Sequence, residues 1–219
     1  ARELLARAPG VHPVTRALLD VERAHVELHL RHPTEALAAA ETALAGLAET
    51  LGPESAARAS ALQARALARM QGGDFDGAQA DLEAAIAVLR ALDPDHPRLT
   101  SVRIDFALVL EHRGRIDEGI ALRREVLESS LRRAGAESAE VRNQRALLGA
   151  VLRTSKRYPE AEIELREAIR LEQSSAERAG EHAVSAARID LGNLLLATGR
   201  PGEAVALLRQ RLERMLALG

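Results

Sequence analysis

The sequence predicts an all-α protein, and three observations lead to that fold class. Only 1% of the 219 residues are aromatic although 47% are hydrophobic, so the core must consist mainly of Ala, Leu, Val and Ile. Ala, Leu, Arg and Glu dominate the chain, and all four residue types favour helices. Short segments typical of turns also recur at a nearly constant spacing, which is characteristic of stacked helical units.

Five similar segments set the register of this repeat. Their starts are separated by 42, 41, 42 and 43 residues. The segments are RHPTEAL from Arg31, GDFDGAQ from Gly73, GRIDEGI from Gly114, KRYPEAE from Lys156 and GRPGEAV from Gly199. We interpret each segment as the turn between the two helices of one unit.

Small residues recur in the same register. One lies within each turn segment, and another precedes it by twelve positions. The pairs are Ala24 with Ala36, Ala66 with Ala78, Ala107 with Gly119, Gly149 with Ala161, and Gly192 with Ala204. Small side chains let two helix backbones approach closely. Since one helix pair cannot bury its own apolar face, the units are expected to stack into a solenoid.

The pattern resembles the tetratricopeptide repeat (TPR), and the resemblance covers essentially the whole chain. The period of ~42 residues is longer than the usual ~34 and resembles the kinesin light chain subtype. The loops LGPES at 51–55, LDPDHP at 92–97 and AGAES at 134–138 resemble the loop between units of that subtype. The resemblance implies a right-handed α-solenoid of about five helix–turn–helix units. Arg23 and Arg65 depart from it, because they replace an apolar residue, and we expect looser packing there.

The expected units cover residues 13–50, 54–92, 96–134, 137–178 and 181–219, within an array that spans 11–219. The segment VHPVT at 11–15 matches DHPRLT at 95–100. We therefore interpret residues 1–10 as the tail helix of a preceding unit. The alternative is an unrelated helix that caps the stack.

The stretch LDPDHPRLT is the part of the sequence that most resembles a catalytic or metal site. Asp93, Asp95 and His96 lie within four residues and could hold a metal or transfer protons. The loops LGPES and AGAES, however, have neither the His nor an Asp, although a helix start needs only a capping side chain. We therefore predict that Asp95 caps the next helix and that Pro97 lies in its first turn.

Other chemistry finds little support in the sequence. His25 and His29 have the i, i+4 spacing of a metal-binding pair, but Val26 stands where the metalloprotease motif needs glutamate. The net charge of −2, with mixed signs, does not favour nucleic acid, and no apolar run could span a membrane. We expect no enzymatic activity, metal or cofactor, and a cytoplasmic bacterial protein.

The resemblance implies that the first helices of the units line a concave face, where we predict a partner-binding groove. Its apolar members are Leu67, Met70, Ile104 and Leu108, and its polar members are Gln63, Gln71 and His112. The same register places Ile189 and Leu196 of the last unit on that face. The alternative for the four apolar residues is that they belong to the core.

Two functions remain open at this stage. The first is a protein–protein interaction scaffold that binds a peptide, or a partner domain, in this groove. The second is a C-terminal regulatory or sensor region of a larger bacterial signalling enzyme, such as a Ser/Thr kinase or a nucleotide-switch protein. Other domains of the same chain would then be partners too.

Overall fold

The computed structural model describes residues 12–51, 55–179, 186–207 and residue 209. Within these ranges every regular element is a helix, which confirms the all-α prediction. The helices are α1 (Pro13–His29), α2 (Pro33–Thr50), α3 (Ala56–Gln71), α4 (Phe75–Leu92), α5 (Leu99–His112), α6 (Ile116–Ala134), α7 (Ala139–Thr154), α8 (Tyr158–Ala179), α9 (Ala186–Ala197) and α10 (201–207). The tail helix expected at 1–10 lies outside the described residues.

The starts of α3 and α7 follow simple capping rules. Ser55 Oγ accepts a hydrogen bond from the backbone N–H of Arg58 at 3.2 Å, and Ser138 Oγ accepts one from that of Val141 at 3.2 Å. Each bond satisfies one of the N–H groups that the first turn of a helix leaves free. The serines of LGPES and AGAES therefore begin α3 and α7.

The five turn segments share one backbone geometry. Their first residues all have positive φ angles: 62° at Arg31, 86° at Gly73, 77° at Gly114, 62° at Lys156 and 73° at Gly199. This left-handed conformation suits glycine and strains other residue types. In two of the five units a non-glycine residue, Arg31 or Lys156, therefore adopts the left-handed conformation that the turn requires.

Contacts divide the chain into two units, one up to Gly119 and one from Ile120 onward. In the first, α1 packs against α2 and α3, and α3 packs against α4 and contacts α5. Ala24, Ala36, Ala66 and Ala78 are at most 1% exposed, as close helix packing requires. The large side chains of this core include Leu47, Leu82, Leu89 and Val102.

In the second unit, α8 packs against both α7 and α9, and α7 contacts α9. Gly149 and Ala161 lie at the buried contact of α7 with α8. A Cβ atom built on Gly149 would lie 2.6 Å from Leu165 Cγ, so the two helices meet there without room for a side chain. The predicted small-residue register thus marks real helix contacts.

Candidate partner-binding surface

The seven residues predicted to line a groove lie on α3 and α5, which are in contact within the first unit. Leu67, Met70, Ile104 and Leu108 are all half-buried. Leu67 packs beside the buried cluster of Leu28, Ala36 and Ala68, and Met70 packs against the larger core of this unit. These side chains are neither fully exposed nor fully enclosed.

Gln63 is buried and is bonded within the protein. Gln63 is only 8% exposed, and its Nε2 donates a hydrogen bond to Asp105 Oδ2 at 2.6 Å. Its Oε1 accepts one from Arg98 Nη2 at 3.4 Å. Since both ends of the amide hold α3 to α5, Gln63 is not placed to contact a partner, contrary to our expectation.

Gln71 and His112 occupy the ends of the same two helices. Gln71 Nε2 donates to the backbone carbonyl of Leu28 at 3.3 Å, near the end of α1, and the same carbonyl also accepts a hydrogen bond from the N–H of Arg31 at 3.1 Å. His112 is exposed, and its ring stacks on Phe75 with centroids 5.0 Å apart and planes inclined by 16°. The stack fixes the orientation of the imidazole at the edge of the surface.

His25, on the neighbouring α1, is half-buried. Burial lowers the pKa of His25 below its ordinary value, because the charged form loses hydration. The positive charges of Arg98 and His29 lower the pKa further, whereas Glu22 opposes the shift. His25 therefore behaves as a neutral part of the surface at physiological pH.

The loop with Asp93, Asp95 and His96 begins α5 in a way the sequence did not reveal. Asp93 Oδ1 accepts a hydrogen bond from the N–H of Asp95 at 2.9 Å, and His96 Nδ1 accepts one from the N–H of Arg98 at 3.2 Å. No side-chain bond caps α5 itself at Arg98. The prediction that Asp95 is the cap is wrong, although the loop does organise a helix start.

His12 makes the same type of bond as His96, 84 residues earlier. Its Nδ1 accepts a hydrogen bond from the N–H of Val14 at 3.4 Å, at the start of α1. In both cases the residue after the proline of a His-Pro pair donates its N–H to the histidine ring. The matching segments noticed in the sequence are therefore matching turns.

A buried ion group between α3 and α4 went unnoticed in the sequence. Asp81 is 3% exposed and accepts hydrogen bonds from Arg65 Nε at 2.9 Å, Arg65 Nη2 at 2.6 Å and Arg69 Nη1 at 2.7 Å. Arg65 was expected to loosen the packing, but it brings its charge to a buried acid instead. The signal available was an acid in α4 three positions after Ala78, at the helix interface.

Within the described ranges, no group of three or more His, Asp or Glu side chains comes together in a way that could hold a metal ion. None of the helices described is both long enough and apolar enough to cross a lipid bilayer.

Comparison with known proteins identifies the fold. No protein-family model matches the sequence, and no curated protein sequence is significantly similar to it. Among solved structures, a protein of Podosopora anserina described as a kinesin light chain with nearly identical TPR-like repeats is similar, with a TM-score of 0.76 at 20% identity over 93% of this chain and 96% of that one. BtubC (BKLC) of P. vanneervenii is similar with a TM-score of 0.75 at 19% identity over 99% of this chain and 86% of that one.

The Rap conjugation gene regulator of plasmid pLS20, in complex with the Phr* peptide, is also similar. Its TM-score is 0.65 at 16% identity, over 91% of this chain and 53% of that one. The chain thus spans about half the length of this regulator. Together these similarities confirm the predicted all-α solenoid of TPR-like repeats, of the kind found in kinesin light chain.

Proposed function

We propose that this chain is a protein-interaction scaffold that binds a peptide, or a segment of a partner domain, on the wall formed by α3 and α5. The α3/α5 wall consists of Leu67, Met70, Ile104 and Leu108, with Gln71 and His112 at its edge. The observation that supports the proposal is the half-buried state of the four apolar side chains on adjacent first helices. Such side chains can lose their remaining contact with water when a partner covers them.

The polar residues of the wall fit a peptide ligand. Gln71 uses its Nε2 on a backbone carbonyl, and its Oε1 can accept a hydrogen bond from a peptide N–H. His112 presents its ring edge, which carries both nitrogen atoms, because one face lies on Phe75. Met70 adds an unbranched side chain that can adjust to different ligand shapes. The Rap regulator in complex with a peptide gives a precedent for peptide binding by this fold.

A selection from a random peptide library tests the proposal. Peptides that bind the wild-type protein are expected to lose at least ~10-fold in affinity when Leu67 or Leu108 is replaced by serine. The matched control is Val26→Ser, because Val26 is 55% exposed on α1 and lies outside the wall. Affinities are compared by calorimetry on the folded variants.

Two results would contradict the proposal. One is the same affinity of the selected peptides for wild-type protein and for both serine variants. The other is a loss of several kcal/mol of unfolding free energy in both variants without any ligand, which would assign Leu67 and Leu108 to the core.

The alternative proposal is a regulatory or sensor region within a larger bacterial signalling protein. What supports it is the Rap regulator, of which this chain matches only 53% of the length, so that the fold occurs there as part of a longer regulatory chain. Sequencing the gene on both sides of the 219 codons tests this alternative. A continuous reading frame with a kinase or nucleotide-binding signature would favour this alternative. The same result would favour a cytoplasmic location for the protein.

A further inference from the structure

The α3/α5 wall continues onto α1 through His25. His25, Leu67 and Leu108 are equivalent residues of three successive units, each one position after the small residue of its first helix. All three residues are half-buried, and α3 contacts both α1 and α5. The row that carries leucine on α3 and α5 therefore carries an imidazole on α1.

Apolar side chains border His25 along the same face of α1. Val21 and Leu28, four residues before it and three after it, are 3% and 8% exposed. Leu67 of the wall packs against the buried cluster that contains Leu28. Gln71 Nε2 also donates to the carbonyl of Leu28, which ties the end of α3 to α1. The imidazole thus lies in an apolar part of the surface that α3 holds in place.

Three neighbouring groups set the charge around His25. Glu22 and His29 lie on α1 itself, and Arg98 directly precedes α5. The described parts of α2 and α3, which pack against α1, add no group to this set. Arg98 Nη2 donates to Gln63 Oε1 at 3.4 Å, and its guanidinium pairs with no carboxylate of the described residues. A charged imidazolium would therefore meet another cation, which Glu22 offsets only in part.

We propose that His25 makes partner binding by the wall depend on pH. This inference rests on the scaffold function proposed above and extends the surface it uses onto α1. A partner segment with uncharged, apolar side chains lies across Leu108, Leu67 and His25, and it covers the imidazole in its neutral form. Protonation places a charge beneath the segment. Because burying a charge without an opposite charge is costly, the segment is released as the pH falls.

The direction of the effect follows from proton linkage. Apolar groups that cover His25 remove hydration from its charged form, so they lower the pKa of His25 in the complex below that in the free protein. Affinity is therefore constant above the pKa of free His25 and falls by up to ~10-fold for each pH unit below it. A carboxylate of an acidic partner beside His25 would raise the pKa instead and would give tighter binding at low pH.

Peptides without ionisable groups isolate the contribution of the protein. Short peptides with blocked ends, built from apolar and uncharged polar residues, are selected on the wild-type protein at about pH 7.5. Their affinities are then measured by calorimetry at about pH 7.5 and about pH 5. We expect each peptide to bind wild-type protein at least ~3-fold more weakly at the lower pH.

Substitutions of single histidines assign the pH response. His25→Leu gives the row three leucines, and it should bind each peptide equally at the two pH values. His25→Gln is a second variant without the titrating group and should also lose the pH dependence. His32→Gln is the matched control, since the side chain of His32 is 54% exposed outside the wall, and it should behave like wild type. Circular dichroism at both pH values checks that each variant is folded.

The inference is overturned if wild-type protein binds the peptides equally at the two pH values, or more tightly at the lower one. It is also overturned if the pH dependence persists in both His25 variants, or if His112→Gln abolishes it instead. These results leave the scaffold function standing, because that function is tested at about pH 7.5 with Leu67→Ser and Leu108→Ser. Failure to select any peptide contradicts both proposals.

Discussion

Two glycines in the same register position should respond in opposite ways to replacement by alanine. Gly149 in α7 and Gly192 in α9 are equivalent residues of successive units. A Cβ atom on Gly149 would lie 2.6 Å from Leu165 Cγ and 3.3 Å from its backbone nitrogen, whereas one on Gly192 would meet no atom within 4 Å. The pair therefore separates helix propensity from packing.

The expected magnitudes follow from these distances. Alanine in a helix interior is favoured over glycine by about 1 kcal/mol. At Gly192 this gain stands alone, so Gly192→Ala should raise the free energy of unfolding by roughly 0.5–1 kcal/mol. At Gly149 the new methyl group must displace Leu165, which is 0% exposed, and overpacking of this kind destabilises by about 1–3 kcal/mol. Gly149→Ala should therefore lower the free energy by up to about 2 kcal/mol.

Urea unfolding followed by helical circular dichroism measures both variants, with equal m-values required for the comparison. A double variant tests the cause. Leu165→Ala removes the Cγ and Cδ2 atoms that the new methyl group would meet, so its destabilising effect should be smaller in the Gly149→Ala background than in the wild type. Shifts of the same sign and size at both glycines would refute the assigned register of α7 on α8.

Three further predictions concern charge and capping. Asp81→Ala should lower the free energy of unfolding, measured with urea, by about 2–3 kcal/mol, because it leaves Arg65 and Arg69 facing each other at a buried site. The control is Asp76→Ala, which should change this free energy by less than about 0.5 kcal/mol because the side chain of Asp76 is 83% exposed. His96→Ala should cost about 0.5–1 kcal/mol through loss of the bond to the N–H of Arg98, and His96→Asn, which keeps an acceptor, should restore most of it in the same assay. Because the pKa of His25 is lowered in the folded protein, the unfolded chain takes up a proton on His25 at a higher pH than the folded chain does. The contribution of His25 to the free energy of unfolding is therefore complete above the unfolded pKa, and it is lost as the pH falls from the unfolded pKa to the folded pKa. His25→Gln should reduce that acid-induced loss in urea titrations across mildly acidic pH, and an unchanged pH dependence would show that His25 is not the group responsible.

Local sequence signals predicted the elements and the close helix contacts. The turn segments were recognisable because their first residues adopt one left-handed geometry, which glycine fills at three of five turns. Small residues such as Ala24 and Gly149 marked helix contacts, because nothing larger fits between the backbones. These features depend on residues near one another in the chain or at a fixed period.

The candidate surface was harder to predict, because burial depends on which neighbour a long side chain finds. Gln63 and Met70 of α3 were both predicted to line the groove, yet the side-chain amide of Gln63 donates a hydrogen bond to Asp105 on the next first helix. Arg65 was expected to disturb its helix contact, and the distant Asp81 explains why it does not. Periodicity identifies the face of a helix, but it does not identify the partner of a flexible polar group.

The left-handed turn between α7 and α8 has a practical consequence, since Lys156 at its start is the only lysine of the chain and is exposed. Amine-directed reagents therefore find a single side-chain target in all 219 residues. A dye or a surface tether placed there would sit at a defined turn, outside the α3/α5 wall. Molecules immobilised through Lys156 would share one attachment point, and a lysine-specific protease would have one site between the two helices of the fourth repeat.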